Sequence, residues 1–193
     1  MNVTQELIQM HLSTVSPISD DTAKSLLAMT RRISLSKNEL LEEENSIVKY
    51  EYYIIKGIVR TFVIDIEGEQ VTTNFHTTGT AITPTLLRSL NRISYINLEV
   101  VSDKADILCF EISGMEKEMQ NVQDLATFGH NLVMQDSLVR AERELMLAKC
   151  KGIEKLKWFR ERFKGLENKV SHQQIASYLG ITATSLSRLR AEK

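Results

Sequence analysis

The chain has 193 residues, of which 42% are hydrophobic and 25% are charged, a composition typical of globular proteins. Its two cysteines are too few for a disulfide framework or for the ligands of an iron–sulfur cluster. No apolar segment approaches the roughly 20 residues of a membrane-spanning helix, and the first residues are too polar for a signal peptide. We therefore expect a reduced, cytoplasmic protein with no membrane contact.

Charge is distributed unevenly along the chain, although its net value is only −1. The segment from Arg140 to the C-terminus contains 13 Lys and Arg against 6 Asp and Glu, a net charge of +7, so the preceding residues carry −8. A cationic end on an acidic body favours contact with a polyanion. A solvated helical surface would give the same bias, so charge alone leaves both interpretations open.

The N-terminal half is predicted to begin with helices and to continue with short strands. Ser19 or Asp20 can cap a short helix within about the first 30 residues. Six β-rich segments follow, and Gly57 and the Glu67-Gly68 pair between them suit hairpin turns. These segments, which together predict a small β-barrel or β-roll, are 46–49, 52–55, 58–64, 70–76, 94–101 and 107–110.

A long helix is predicted over residues 115–150, because apolar residues recur there at helical spacing and no proline interrupts them. One apolar line is a narrow seam of Met119, Val122, Ala126, Gly129 and Val133, and a second line contains Leu125, Phe128, Leu132 and Val139. A helix covered on two sides suits packing on its own domain and on a second copy of the chain. Complete burial within a monomer is the alternative.

The most informative segment is 171–190, whose pattern predicts two short helices joined by a tight turn. Ser171 and Gln174 can form a capping box at the start of the first helix, and Gly180 permits the left-handed conformation that ends it. The side chains expected to pack between the helices are Ile175, Ala176, Leu179, Ile181, Leu186 and Leu189. This pattern indicates a helix-turn-helix motif, with an ordinary helical hairpin as the alternative.

The outward face of the second predicted helix carries short polar and cationic side chains. Thr182 can cap this helix, and Arg188 can bind guanine through two hydrogen bonds. Arg190, His172 and Gln173 suit phosphate contacts, which fix register without reading sequence. The predicted DNA-contacting residues are Ser171, His172, Gln173, Thr182, Ala183, Thr184, Ser185, Arg188 and Arg190.

The order of β-roll, long helix and a C-terminal segment reading IASYLGITATSLSRLR resembles the Crp/Fnr superfamily of bacterial transcription regulators. Residues 52–79 resemble the cyclic-nucleotide-binding-like β-roll of that superfamily, a jelly roll or double-stranded β-helix. The resemblance implies an α+β protein with a sensor domain at 1–114, a dimerisation helix at 115–150 and a DNA-binding domain at 151–193. It also implies a homodimer on double-stranded DNA, with its recognition helices about 34 Å apart, and contact with RNA polymerase.

Matched to the family's recognition helix, Ala183, Thr184 and Arg188 fall at base-reading positions. The Arg-Glu pair that usually precedes the last arginine is replaced here by Ala183-Thr184, so the family's best-known operator is not expected. The chain ends at Lys193 without the β-wing that most members carry after the recognition helix. We therefore expect a short-form member.

The resemblance also argues against cyclic AMP as the effector. Members of this family that bind cyclic nucleotides carry a Gly-Glu pair that binds the ribose. They also carry an Arg-Ser or Arg-Thr pair that binds the phosphate, because a buried phosphate needs a cation. In this chain Thr80 follows Gly79, and Ile93 follows Arg92. We expect no cofactor. The candidate pocket residues for an unidentified small-molecule effector are Thr80, Thr83, Arg88 and Arg92. These residues are equally compatible with surface positions.

Enzyme and haem functions have little support in the sequence. A cupin-type enzyme needs two or three histidines for its metal, and a haem protein needs an axial ligand, but His76 is the only histidine of the β region. No nucleophile–base constellation stands out, so we expect a protein that is not an enzyme. A ligand sensor or protein-interaction module that no longer binds DNA is the alternative function.

Overall fold

The computed structural model describes residues 3–82 and 90–191. Two helices precede a β-roll, and helices form the rest of the described chain. The helices are α1 (Gln5–Leu12), α2 (Asp20–Leu27), α3 (Ile112–Asn121), α4 (Gln123–Lys149), α5 (Gly152–Arg162), α6 (His172–Leu179) and α7 (Ala183–Ala191), with a 3-10 turn at Leu166–Asn168. The strands are β1 (Thr30–Ser36), β2 (Leu40–Glu42), β3 (Tyr50–Lys56), β4 (Ile58–Ile64), β5 (Gln70–Thr77), β6 (Thr80–Ile82), β7 (Asn97–Val100) and β8 (Lys104–Glu111).

The strands form two four-stranded antiparallel sheets, in the orders β1-β8-β3-β6 and β2-β7-β4-β5. Alternate residues of both sheets face a shared apolar core, because side chains along a strand point to opposite faces. That core includes Tyr52, Ile54, Val59, Leu98, Val100 and Ile107. The α+β class and the jelly-roll architecture expected from the sequence are confirmed.

Several strand predictions need correction. Residues 46–49 form no strand within the described chain; Ile47 makes only an isolated bridge with Ile93. Strands β1, β2 and β6 were not predicted, because β2 and β6 span three residues each and β1 is half-exposed without a clear apolar alternation. Strand β7 is shorter than its predicted segment, and β8 is longer.

Gly57 does not join a hairpin, because β3 and β4 belong to different sheets. It lies at the corner where the chain passes from one sheet to the other, with a φ of +102°. A Cβ at this position would lie 2.6 Å from the carbonyl oxygen of Lys104. Only glycine therefore fits between the β3–β4 corner and the turn before β8.

The helix predicted over 115–150 is two helices, because Val122 has an extended backbone between α3 and α4 (φ −121°, ψ 107°). Asp124, in the first turn of α4, accepts hydrogen bonds from the Ser19 backbone N–H at 2.7 Å and from the Thr22 hydroxyl. This tertiary anchor fixes the start of α4 against α2. As a result, Leu125 and Phe128 are buried with the N-terminal helices.

The C-terminal helices pack against the β-roll as well as against each other. Their apolar core contains Leu156, Phe159, Leu166, Ile175, Tyr178, Leu179 and Leu186, and it continues into Ile58, Phe75 and Val101 of the roll. The division of the chain at residues 114 and 150 stays a prediction. Among the described residues, no helix is long and apolar enough to cross a membrane.

Candidate nucleic-acid interface

Helices α6 and α7 are defined by local hydrogen bonds that match the sequence pattern. The Ser171 hydroxyl accepts from the Gln174 backbone N–H at 3.2 Å, and the Gln174 side chain accepts from the Ser171 N–H at 3.1 Å. Gly180 ends α6 in the left-handed conformation, with a φ of 61°. The Thr182 hydroxyl accepts from the Ser185 N–H at 3.1 Å and so caps α7. The predicted helix-turn-helix geometry is confirmed.

The outward face of α7 presents the residues that the sequence assigned to base contacts. Ala183, Thr184 and Arg188 are exposed, whereas Leu186 on the opposite side is completely buried. Ser185 is half-buried, and its hydroxyl lies 2.9 Å from the hydroxyl of Thr182. Arg188 pairs with no carboxylate in the part of the chain that the structure describes. As far as the described residues go, its exposed guanidinium is available to a partner outside the chain.

Arg190 differs from Arg188 because it is held by other side chains. Its Nε lies 2.8 Å from an oxygen of Glu167, and a second arginine, Arg160, donates two hydrogen bonds to the same carboxylate. The hydrogen bonds from Arg160 are the main reason that the pKa of Glu167 is lowered. Arg190 therefore attaches the end of α7 to the 3-10 turn, in addition to the phosphate contact predicted for it.

The other predicted phosphate contacts lie at the start of α6. Ser171, His172 and Gln173 are all exposed there. The imidazole Nδ1 of His172 lies 3.3 Å from a guanidinium nitrogen of Arg190, which brings the start of α6 close to the end of α7. Backbone N–H groups at a helix N-terminus favour anions. The contact between His172 and Arg190 thus joins the predicted residues of α6 to those of α7.

The two predicted effector residues that the structure describes, Thr80 and Arg92, do not line the same cavity. Thr80 lines a cavity of about 270 Å³ between β5, β6 and α4, and its hydroxyl donates to the Thr77 carbonyl at 2.7 Å. Arg92 is not among the described residues lining this cavity and instead pairs with Glu116 of α3. Thr83 and Arg88 lie outside the described residues. Of the two candidates that the structure describes, Thr80 lines the cavity and Arg92 does not.

His76 lines the same cavity but is 4% exposed, and its Nε2 has no hydrogen-bond partner among the described residues. Burial lowers the pKa of His76 to about 4, so the imidazole is neutral at pH 7. The described residues contain no cluster of His, Cys, Asp or Glu that could hold a metal ion. The environment of His76 is therefore that of a buried neutral side chain.

The contact between α6 and the β-roll was not predicted. The Ser177 hydroxyl accepts from the Thr72 backbone N–H at 2.8 Å and donates to the Gln70 carbonyl at 3.2 Å. Both partners belong to β5, the outer strand of its sheet, so α6 covers a strand edge that would otherwise be unpaired. An aromatic cluster reinforces the contact; its members are Phe75, Trp158, Phe159, Phe163 and Tyr178. No local sequence signal links Ser177 to a residue 105 positions away.

Helix α4 carries an exposed apolar stripe in its C-terminal half. Met134 is 49% exposed, Leu138 is 61% exposed and Leu145 is 53% exposed. Ala141, which is also exposed, completes a spacing of four, three and four residues. Neither of the two apolar lines predicted for this helix contained these residues. Their 3.5-residue spacing is a signal that could have been found in the sequence.

Comparisons with known proteins identify the fold. No protein-family model and no curated protein matched the chain. FixK2 from Bradyrhizobium japonicum is similar, with a TM-score of 0.73, 19% sequence identity, and coverage of 84% of this chain and 83% of FixK2. The c-di-GMP-responsive global regulator CLP from Xanthomonas campestris matches with a TM-score of 0.72 and 13% identity, over 90% of this chain and 91% of CLP.

A third similar structure is a putative Crp/Fnr transcriptional regulator from Eubacterium rectale. It has a TM-score of 0.70 and 14% identity, over 89% of this chain and 82% of that protein. At these identities the likeness establishes the fold. The chain has the fold of the Crp/Fnr transcription regulators, as its sequence pattern implied.

Proposed function

We propose that the chain is a DNA-binding transcription regulator of the Crp/Fnr type that acts as a homodimer in the cytoplasm. The observation that carries this proposal is the exposed Arg188, which pairs with no carboxylate among the described residues, on a helix whose apolar side is buried in a helix-turn-helix. The cationic C-terminal part of the chain supports it, because a positive surface attracts the phosphate backbone before bases are read.

In this proposal α7 enters the major groove as the recognition helix. Thr184 and Ser185 lie near its N-terminus and suit short hydrogen bonds to base edges, and Arg188 suits a bidentate contact with guanine. Ser171, His172 and Gln173 contact phosphates at the start of α6 and fix the register of the helix. Arg190 attaches the end of α7 to Glu167, and the Thr182 hydroxyl caps the start of the helix.

The exposed stripe on α4 supports the homodimer. Met134, Leu138, Ala141 and Leu145 repeat at the spacing by which two helices interlock in a coiled coil. A second copy of α4 related by twofold symmetry would cover this stripe. The same symmetry would present two α7 helices to successive major grooves, about 34 Å apart.

Cyclic AMP is not the effector that we propose. Thr80 follows Gly79 where the family's ribose-binding pair has Glu, so the Arg88-Ser89 pair stands without a Gly-Glu pair before it, and Arg92 is engaged with Glu116. An unidentified small-molecule effector and RNA polymerase remain proposed partners through the family resemblance.

Selection from a random duplex DNA library tests the proposal and requires no assumption about the operator sequence. We expect enrichment of an inverted repeat whose half-sites are centred about 10 base pairs apart, because a symmetric dimer reads two half-sites one helical turn apart. A parallel selection with Arg188→Ala should fail to enrich the same repeat. Absence of any enrichment by folded wild-type protein at low salt would contradict the proposal and favour a sensor or interaction module.

A further inference from the structure

A second cavity, of about 640 Å³, opens between the β-roll and the helical C-terminal region. Its first wall consists of the β3–β4 corner at 56–58 and the turn before β8 at 102–104. Its second wall consists of the end of α5 and the segment that follows, at 162–169. We call it the interdomain cleft; the outward residues of α7 are not among its lining residues. The cleft is therefore separate from the surface proposed for base contacts.

Positive charges dominate the interdomain cleft. Its five cationic lining residues are Lys56, Lys104, Arg162, Lys164 and Lys169. Asp103 is the one carboxylate among the described lining residues. None of the five cations forms an ion pair with a carboxylate in residues 3–82 and 90–191. Glu167 belongs to the 162–169 segment but is not among the lining residues, and it binds Arg160 and Arg190.

The packing of the first wall brings the backbone segments of two of these cationic residues, Lys56 and Lys104, close together. The close approach of Gly57 to the Lys104 carbonyl brings the β3–β4 corner against the turn before β8. The Ser102 hydroxyl joins the same two segments, since it accepts from the Ile58 N–H at 2.9 Å and donates to the Lys104 carbonyl at 2.9 Å. The exposed side chains of Lys56 and Lys104 thus extend from two backbone segments that are hydrogen-bonded through Ser102.

The rest of the lining suits a ligand with both polar and apolar parts. Ile58 and Leu166 are buried, Phe163 is half-buried, and the three form an apolar floor. Thr77, Thr78 and Ser102 add hydroxyl groups to the rim. A cavity of this volume is within the range of small-molecule sites and can hold a molecule of nucleotide size.

We propose that the interdomain cleft binds a small phosphate-bearing anion that bridges the β-roll and the helix-turn-helix region. Like charges that line one cleft repel each other, and an anion in the cleft relieves this repulsion while it forms charge-assisted hydrogen bonds. A small ligand fits better than a DNA backbone, because the site is a concave cleft between two parts of the chain. A ligand held by both walls fixes the position of α7 relative to the roll, and this regulatory consequence rests on the proposed function.

Titration calorimetry with inorganic pyrophosphate, in about 0.15 M NaCl and without DNA, tests the site. The full chain should bind pyrophosphate, and a Lys104→Gln/Lys164→Gln variant, which removes one cation from each wall, should bind about tenfold more weakly. The matched control is Lys24→Gln/Lys117→Gln, which removes the same charge at exposed positions of α2 and α3. Binding by the control should equal that of the wild type. No binding by the wild type, or an equal loss in the control, would overturn the proposal.

A DNA titration separates the small ligand from a DNA backbone. Fluorescence anisotropy with a random-sequence duplex, without pyrophosphate, should give the same affinity for the cleft variant as for the control variant. A larger loss in the cleft variant would assign the cleft to DNA phosphates and overturn the small-ligand proposal. If the wild type bound no duplex, the proposed function would fail, and the calorimetry alone would decide the anion site.

Discussion

At the scale of single residues, Ser177 joins the helix-turn-helix to the sheet with one hydroxyl group. We expect Ser177→Ala to lower the free energy of unfolding by about 1–3 kcal/mol, chiefly because the Thr72 N–H loses its partner in a partly buried place, while the exposed Gln70 carbonyl can turn to water. Urea denaturation of the full chain measures the change. Ser187→Ala, on the exposed face of α7, is the control and should change the free energy of unfolding by less than about 0.5 kcal/mol. Equal effects of the two substitutions would contradict the assigned role of Ser177.

His76 makes stability depend on pH. Its folded-state pKa is about 4 and its ordinary pKa is 6.5, so the unfolded chain binds a proton first as the pH falls. The contribution of His76 to stability is therefore complete above pH 6.5 and is lost between pH 6.5 and 4. At pH 4, this lowers the free energy of unfolding by about 3 kcal/mol.

Urea titrations at several pH values, on the wild type and on His76→Gln, measure this contribution. The free energy of unfolding of the wild type should fall more steeply below pH 6.5 than that of His76→Gln. Parallel pH profiles for the two proteins would show that His76 titrates normally, and would contradict its burial in the neutral form.

At the scale of elements, the stripe on α4 predicts the oligomeric state. Leu138→Glu should convert a dimer into a monomer, because it places a charge in the centre of an apolar helix–helix contact. Light scattering coupled to size-exclusion chromatography measures the mass. Met10→Glu, at an exposed apolar position of α1, is the control and should leave the dimer intact. A wild-type monomer at micromolar concentration, or a dimeric Leu138→Glu variant, would contradict the helix-mediated dimer.

Elements set by local chemistry could be predicted from the sequence, whereas elements set by distant contacts could not. The capping box of Ser171 and the left-handed Gly180 are local, so α6 and its turn were predicted correctly. The break at Val122 depends on the anchoring of Asp124 by residues of the α2 N-terminus, about a hundred positions earlier in the chain. Strand β1 was missed because its pairing with β8, not its apolar pattern, makes it a strand.

The candidate site shows the same division. The exposure of Thr184 and Arg188 follows from the period of an amphipathic helix, and their predicted placement agrees with the structure. The attachment of Arg190 to Glu167 depends on how the 3-10 turn packs against α7, and the sequence contains no sign of it. Arg92 was assigned to the pocket by its distance along the chain alone, but it is held at α3.

At the scale of the whole molecule, the aromatic cluster joins the helix-turn-helix to the roll. Phe75→Ala should increase amide hydrogen exchange in α6, because Phe75 contacts Phe159, Phe163 and Tyr178 across the junction. Phe128→Ala is the matched control, since it removes an equally buried ring from the N-terminal core. Both variants should lose about 3–5 kcal/mol of stability. Equal exchange in α6 for the two variants would contradict a junction centred on Phe75.

The central claim is that α7 reads bases through Arg188, and one titration tests it most directly. Fluorescence anisotropy on the duplex enriched by selection should show that Arg188→Ala loses about 1–3 kcal/mol of binding free energy. Its remaining affinity should no longer distinguish the contacted guanine from other bases, whereas Lys24→Ala should match the wild type. An Arg188→Ala variant that binds this duplex with wild-type affinity and selectivity would contradict the account.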